Sequence, residues 1–145
     1  MDAMRKRLEE LLQGLRRFIL ERSESPHVAK VKRIVVQHYH EQILFGRLAE
    51  EMNISRNYLS MIFKKETGVS FMTYLTNYRI GKAKELLLQK RYMVYEIAQL
   101  TGYQDAAYFS RIFKHVTGMT PVEYIMQQED PESPTQKDGN HRSSH

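Results

Sequence analysis

Tyr58-Leu59-Ser60-Met61-Ile62-Phe63-Lys64-Lys65-Glu66-Thr67-Gly68 recurs fifty residues later as Tyr108-Phe109-Ser110-Arg111-Ile112-Phe113-Lys114-His115-Val116-Thr117-Gly118. Tyr74 likewise lies over Tyr124, and upstream Leu48-Ala49 matches Ile97-Ala98 with one residue of slip. An internal repeat of this length marks a duplicated structural unit. Each copy reads as a short helix, a tight turn (Asn53-Ile54 or Gly102-Tyr103) and a longer capped helix. That is helix-turn-helix organisation, present twice.

The second helix of each copy has two faces. Leu59, Ile62 and Phe63 stand at i, i+3, i+4 and form one core stripe; Phe109, Ile112, Phe113 and Val116 form the other. Asn57, Ser60, Met61 and Lys64 point the opposite way, as do Ala107, Ser110, Arg111 and Lys114. Such faces combine short side chains with long basic ones. Small residues let a helix approach a groove floor, Arg reads guanine edges and Lys holds phosphate. A solvated amphipathic face would account for one such helix. Two matched helices, each behind a short helix and a tight turn, favour DNA.

Outward from the repeat, helix signals continue. Ser25 caps and Pro26 opens a helix over 26–40, which buries Val28, Val31, Ile34 and Val35. A second helix covers 45–52, and Asn53 tolerates the left-handed turn after it. Ser55 caps a helix to Thr67, stopped by Gly68. Ser70 caps a long helix over 71–89. Helices over 94–101 and 106–117 follow, the latter capped by Asp105 and stopped by Gly118. Thr120-Pro121-Val122-Glu123 is a capping box opening the last. Nothing reads as a strand, so the fold class is all-α.

The helix over 71–89 carries two apolar stripes, Phe71, Leu75, Tyr78 and Ile80, Ala83, Leu87, one for each unit. At 1.5 Å per residue it spans about 29 Å. One turn of DNA is about 34 Å, so a rigid spacer of this length sets two recognition helices into successive major grooves.

The N-terminal segment 3–22 is a further helix. Met4, Leu8, Leu11, Leu15 and Phe18 have the a/d spacing of a short coiled coil. Three readings stand: a homodimer seam through residues 4–18, a helix folded back on its own domain, or the end of a longer linker. The break at Arg22-Ser23-Glu24-Ser25 separates it from the rest.

The chain's 145 residues include 22 Lys or Arg against 17 Asp or Glu, a net charge of +5. Between residues 26 and 128 the balance is fourteen against eight, a net +6. The excess positive charge therefore lies over the duplicated units and points to an anionic partner. There is no cysteine, which excludes disulfides, thiolate metal sites and thiol nucleophiles. No apolar run approaches the roughly 20 residues of a membrane span, and no signal-peptide core is present. Neither a phosphate-binding Gly-rich loop nor a nucleophile–base pair can be drawn. His38 and His40 are splayed by a helix, His115 reads as a surface residue, and His141 and His145 as solvated. Tyr74, Tyr78, Tyr108 and Tyr124 are expected in the core. No enzyme activity, cofactor or metal is expected, and a cytoplasmic, nucleoid-associated protein is.

These residues carry a resemblance. About 70% of the chain, residues 26–128, resembles the AraC-type DNA-binding domain of bacterial transcription regulators. Its second-half signature stands as Gly102-Tyr103, Tyr108-Phe109-Ser110-Arg111-Ile112-Phe113-Lys114 and Thr117-Gly118-Met119-Thr120-Pro121-Val122-Glu123-Tyr124. The linker-helix signature stands as Arg79-Ile80-Gly81-Lys82-Ala83-Lys84-Glu85-Leu86-Leu87. The resemblance implies seven helices, two helix-turn-helix subdomains and promoter binding on one DNA face, and further implies an activator that meets RNA polymerase. Base-reading positions fall on Arg56, Asn57, Ser60 and Met61, and on Ala106, Ala107, Ser110 and Arg111. Backbone contacts fall on Lys64, Lys65, Lys114 and His115. The output domains of YesN-like two-component response regulators are the most similar subgroup. There a receiver precedes a helix like 3–22, so a receiver or sensor domain is expected outside this sequence. Met61 departs from the Arg or Lys common at its place and cannot donate a hydrogen bond. Ile125 stands where the family often has an Arg, and an aliphatic side chain cannot hold the phosphate that Arg would.

The expected organisation is therefore residues 1–25 as N-terminal amphipathic helix and linker, 26–69 as first subdomain, 70–90 as linker helix, 91–128 as second subdomain and 129–145 as disordered tail. The competing reading, from another class, is a protein-interaction module of the same fold with degenerate DNA readout, motivated by the apolar seam and Met61.

Overall fold

The computed structural model describes residues 2–21 and 24–129, with side chains omitted for 18–21. Eight helices appear among them: α1 (Asp2–Glu21), α2 (Pro26–His38), α3 (Phe45–Glu51), α4 (Arg56–Thr67), α5 (Phe71–Gln89), α6 (Val94–Leu100), α7 (Ala106–Thr117) and α8 (Pro121–Glu129). The all-α expectation holds. The expected disordered tail lies outside the described residues, except that Glu129 ends α8, and so does the break at Arg22-Ser23.

The helix starts follow the caps. Ser25, Ser55 and Ser70 Oγ accept from the N–H groups of His27, Tyr58 and Thr73, at 3.2, 3.0 and 3.2 Å. Asp105 Oδ1 accepts from Ala107 N–H at 2.9 Å. Thr120 and Glu123 exchange both bonds of a capping box at 3.1 Å. The stops follow equally: Gly68 and Gly118 sit at φ +84° and +85°, and their N–H groups return to the Lys64 and Lys114 carbonyls. Asn53 takes φ +58° in the first turn.

The repeat also explains its own Thr-Gly ending. The Thr67 hydroxyl lies 2.7 Å from the Phe63 carbonyl and accepts from Val69 N–H. Thr117 does the same with Phe113, at 2.8 Å, and Met119. Each hydroxyl ties the helix end to the segment leading into the next helix.

Two separate cores result. Val28, Val31, Val35, Leu48, Ala49, Leu59, Ile62 and Phe63 enclose the first, with Phe71 and Leu75 from α5. Phe63 is its centre, edge-on to Phe71 and Tyr74 at 5.9 and 5.2 Å between ring centroids. Ile80, Ala83 and Leu87, from the other stripe of α5, join Ile97, Ala98, Tyr103, Phe109 and Phe113 in the second. The linker helix thus serves both cores as its two stripes require, with Tyr78 packed on the first.

Several burial expectations need correction. Ile34, Tyr74 and Tyr78 are only half-buried at the edge of the first core, and Ile112 and Tyr124 at the edge of the second. Val116 is 38% exposed. Its counterpart in the first unit is the exposed Glu66, so this position lies at the rim of both units. Tyr108 is 47% exposed, as is its counterpart Tyr58. Each precedes the buried aromatic or Leu by one residue, and a 100° step moves it off the core face.

The fold-back reading of α1 is also overturned. Met4 is 80% exposed and Leu11 66%, with Leu8, Leu12 and Leu15 exposed alongside. The stripe is open, and Phe18 falls outside the described side chains. Among the described residues no helix is long and apolar enough to cross a membrane.

Candidate nucleic-acid interface

The two turns are built alike. Ile54 N–H reaches back to the Ala49 carbonyl at 3.1 Å, and Tyr103 N–H to the Ala98 carbonyl at 2.8 Å. Asn53 and Gly102, the residues before, both take positive φ. From there the second unit has one extra residue, Gln104, before its cap, which accounts for the slip. Both turns swing the following helix, α4 or α7, onto the outside of its unit. The buried stripe of each is then fixed by the core, so the opposite face must meet solvent.

On α4 that face presents Asn57, Ser60, Met61, Lys64 and Lys65, all exposed, with Met61 at 58%. Arg56 is also exposed, but its stem leans over α3: a Cβ on Gly46 would lie 3.7 Å from Arg56 Cδ. On α7 the face presents Ala107, Arg111, Lys114 and His115, with Ser110 half-buried. Ala106 is different. It is half-buried and packs against the second core, so the structure does not bring it to the outward face.

Among the described residues the outward cations have no acidic partner. The ion pairs among the described residues are Lys32–Glu24, His38–Glu41, Lys82–Glu85 and Lys90–Glu129. None uses Arg56, Lys64, Lys65, Arg111, Lys114 or His115. By contrast Lys32 lies 2.6 Å from Glu24, and that hydrogen bond holds its ammonium above the usual lysine range. Unpaired surface cations on a basic domain are what an anionic partner can neutralise without first breaking an ion pair.

The sequence did not announce one further interaction. The Arg111 guanidinium lies over the Tyr108 ring, 5.9 Å from its centroid. Tyr108 therefore holds the most prominent long donor of α7 from the flank instead of filling the core. A three-residue offset on a helix is a neighbour relation, so the pair was legible once Tyr108 was taken as exposed.

A helix-turn-helix domain family matches residues 48–127, more than half the chain, from the first recognition unit through the second. The chain belongs to the AraC-type helix-turn-helix family. Members of that family are DNA-binding transcription regulators, not enzymes. The AraC-type domain is similar to the C-terminal domain of AraT, a response regulator from Geobacillus stearothermophilus. Identity is 36% and the TM-score 0.68, over 71% of this chain and 86% of that one. It is also similar to the DNA-binding domain of the transcription factor AdpA, solved with a target DNA. There identity is 26% and the TM-score 0.67, over 74% of this chain and 99% of that one. Among curated relatives, the HTH-type transcriptional activator Btr of Bacillus subtilis is 40% identical over 85 residues, which are 59% of this chain and 16% of Btr. The chain spans between 12% and 40% of the lengths of the first curated relatives it matches. The expected likeness to response-regulator output domains therefore holds.

Proposed function

We propose that this AraC-type domain binds double-stranded promoter DNA in a sequence-specific manner, as the output part of a bacterial transcription activator. In this reading α4 and α7 enter successive major grooves on one face of the duplex. Arg56, Asn57, Ser60 and Met61 read bases in one groove, and Ala107, Ser110 and Arg111 in the next. Ala106 supports the second set from the core edge. Lys64, Lys65, Lys114 and His115 hold the phosphates. Met61 offers apolar contact to a thymine methyl in place of a guanine contact. Residues 26–69 and 91–128 act as the two reading subdomains and 70–90 as the spacer.

The observation that carries the proposal is the pairing of two outward basic faces on matched, separately cored units threaded by one helix. Solvation explains one such face but not their duplication in register. Btr is described as an activator and AdpA was solved with target DNA. Both support the reading. RNA polymerase as partner, a homodimer through residues 4–18 and a receiver or sensor domain outside this sequence belong to the same proposal, as does residence in the cytoplasm on the nucleoid.

Selection from a random duplex pool, followed by anisotropy of the winner against a scrambled duplex, tests it. Two short motifs about one helical turn apart, bound at least about a thousandfold tighter than scrambled DNA, are expected. No enrichment, together with tight binding to a partner protein, would establish the interaction-module reading instead.

A further inference from the structure

We propose that Arg79 is a positioning residue: it locks the two helix-turn-helix units at one mutual orientation, and so sets which spacing of DNA motifs the domain accepts. The second half of this statement rests on the DNA-reading function proposed above; the first half stands on the geometry alone.

Arg79 sits mid-way along α5, between the stripe that feeds the first core and the stripe that feeds the second. It is half-buried. Its Nε donates to the Tyr39 carbonyl at 2.7 Å and its Nη2 to the Glu41 carbonyl at 2.9 Å. Both acceptors follow the C-terminus of α2, where helix carbonyls lack intrahelical donors and the dipole favours a cation. Tyr39 is itself held, edge-on to Tyr78 of α5 at 5.3 Å. The first unit is thus gripped by a planar fork that only Arg supplies.

The other side of the same guanidinium faces the second unit. Its Cζ lies 5.4 Å from the centroid of the buried Tyr103 ring, within cation–π range. The backbones meet here too. A Cβ on Gly102 would fall 2.9 Å from the Tyr39 oxygen and 3.0 Å from Arg79 Cζ and Nε. Gly102 also takes φ +96°, so its lack of a side chain is required twice over. Beside this junction the units are parted by a cleft of about 610 Å³, with His40, Gln42 and Leu44 on one side and Gln99 and Gln104 on the other. Across an open cleft the facing side chains are not packed against one another and supply little to hold two bodies at one angle. A helix carrying separate cores on its two halves can bend or twist between them. A half-buried side chain bonded to one unit and stacked on the other opposes that motion.

The test uses the whole chain, which has no cysteine of its own. Gln37→Cys on α2 and Gln127→Cys on α8 are both exposed and place spin labels on opposite units. The distance distribution between them is expected to be narrow with Arg79 and at least about twofold wider in Arg79→Ala. Arg79→Lys keeps the charge but not the two-carbonyl fork, and carries the same comparison if Arg79→Ala fails to fold. In parallel, duplexes bearing one selected motif, or both motifs at spacings changed by one or two base pairs, are titrated. Affinity for one motif is expected to be unchanged, while preference for the native spacing falls at least about tenfold, as expected when two linked binding events lose their fixed geometry. An unchanged distance distribution overturns the lock. A widened distribution with intact spacing preference overturns its role in site choice. A protein that binds no duplex specifically refutes the DNA-reading function, and the spin-label distances then decide the lock by themselves.

Discussion

Arg111→Ala separates two quantities that are usually confounded, affinity and discrimination. In the free protein the guanidinium rests over the Tyr108 ring at 5.9 Å, and Tyr108 is 47% exposed. A cation–π pair at such an exposed site contributes about 0.5–1 kcal/mol. To reach a guanine edge Arg111 must leave that ring, and it gains about 1–3 kcal/mol of preference for the correct base once there. Leaving Tyr108 costs the same whatever duplex is offered. It therefore lowers absolute affinity but cancels from the comparison between bases. Arg111→Ala is thus expected to lose the whole preference at one position, about 5- to 150-fold. Affinity for the best duplex should fall by less. The assay is fluorescence anisotropy on the selected duplex and on variants with each base pair changed in turn. A per-base profile identical to that of the unaltered protein would refute Arg111 as a base reader. If the salt slope dropped by about 0.9 at the same time, Arg111 would be a phosphate contact.

Lys64→Ala and Lys114→Ala should each weaken binding to all duplexes alike and flatten the slope of log affinity against log salt by about 0.9; a changed base preference in either would reassign it to readout. Among the described residues the buried Tyr103 hydroxyl has no hydrogen-bond partner of good geometry, and burial pushes its pKa above the usual tyrosine value, with Arg79 opposing. From about pH 10 upward the unfolded chain ionises this group before the folded chain does. Its contribution to stability is therefore fully present below that pH and declines as pH rises. Tyr103→Phe should be neutral or slightly stabilising near pH 7 and should show a shallower loss of Tm between about pH 9 and 11; parallel Tm curves would contradict this. Deleting residues 1–22 should turn a dimer into a monomer in sedimentation if the exposed stripe of α1 is a self-association seam, and a monomer before and after ends that idea.

Much of the fold was legible because it is written in local chemistry. Ser55, Ser70, Asp105 and the Thr120–Glu123 box cap the helices they mark, and Gly68 and Gly118 end theirs. The double stripe of α5 was legible because 3.6-residue periodicity can be counted twice on one helix. What stayed hidden was long-range or unsigned. Arg79 bonds carbonyls forty and thirty-eight residues away, and a backbone acceptor leaves no residue type to recognise. Lys90 ends α5 in the left-handed region at φ +58° without the Gly or Asn that would announce it. Within the candidate interface, the exposure of Tyr108 and Val116 was hidden for one reason. A repeat reports that two positions are equivalent, not which way they face. Glu66 beneath Val116 was the available warning, since a carboxylate at the matching position argues for a rim.

The repeat contains a further division that bears on readout. Phe63 and Phe113, Thr67 and Thr117, Gly68 and Gly118 are identical, and each has a demonstrable structural task. Among exposed positions only some are shared. Lys64 and Lys114 match, whereas Asn57 faces Ala107, Met61 faces Arg111 and Lys65 faces His115. A phosphate presents the same geometry at every step of a duplex, while base edges differ from one step to the next. Two units docking alike on different motifs should therefore keep the residues that hold phosphate and vary those that read bases. On that ground we propose Lys64 and Lys114 as backbone anchors, the pairs at 57/107 and 61/111 as readers, and two half-sites of different sequence; the rule does not sort Ser60 and Ser110, which are identical, or Lys65 and His115, which differ. The Met61 unit should select for thymine-rich steps where the Arg111 unit selects for guanine. A selected site with two identical halves would break this assignment even if the domain bound it tightly.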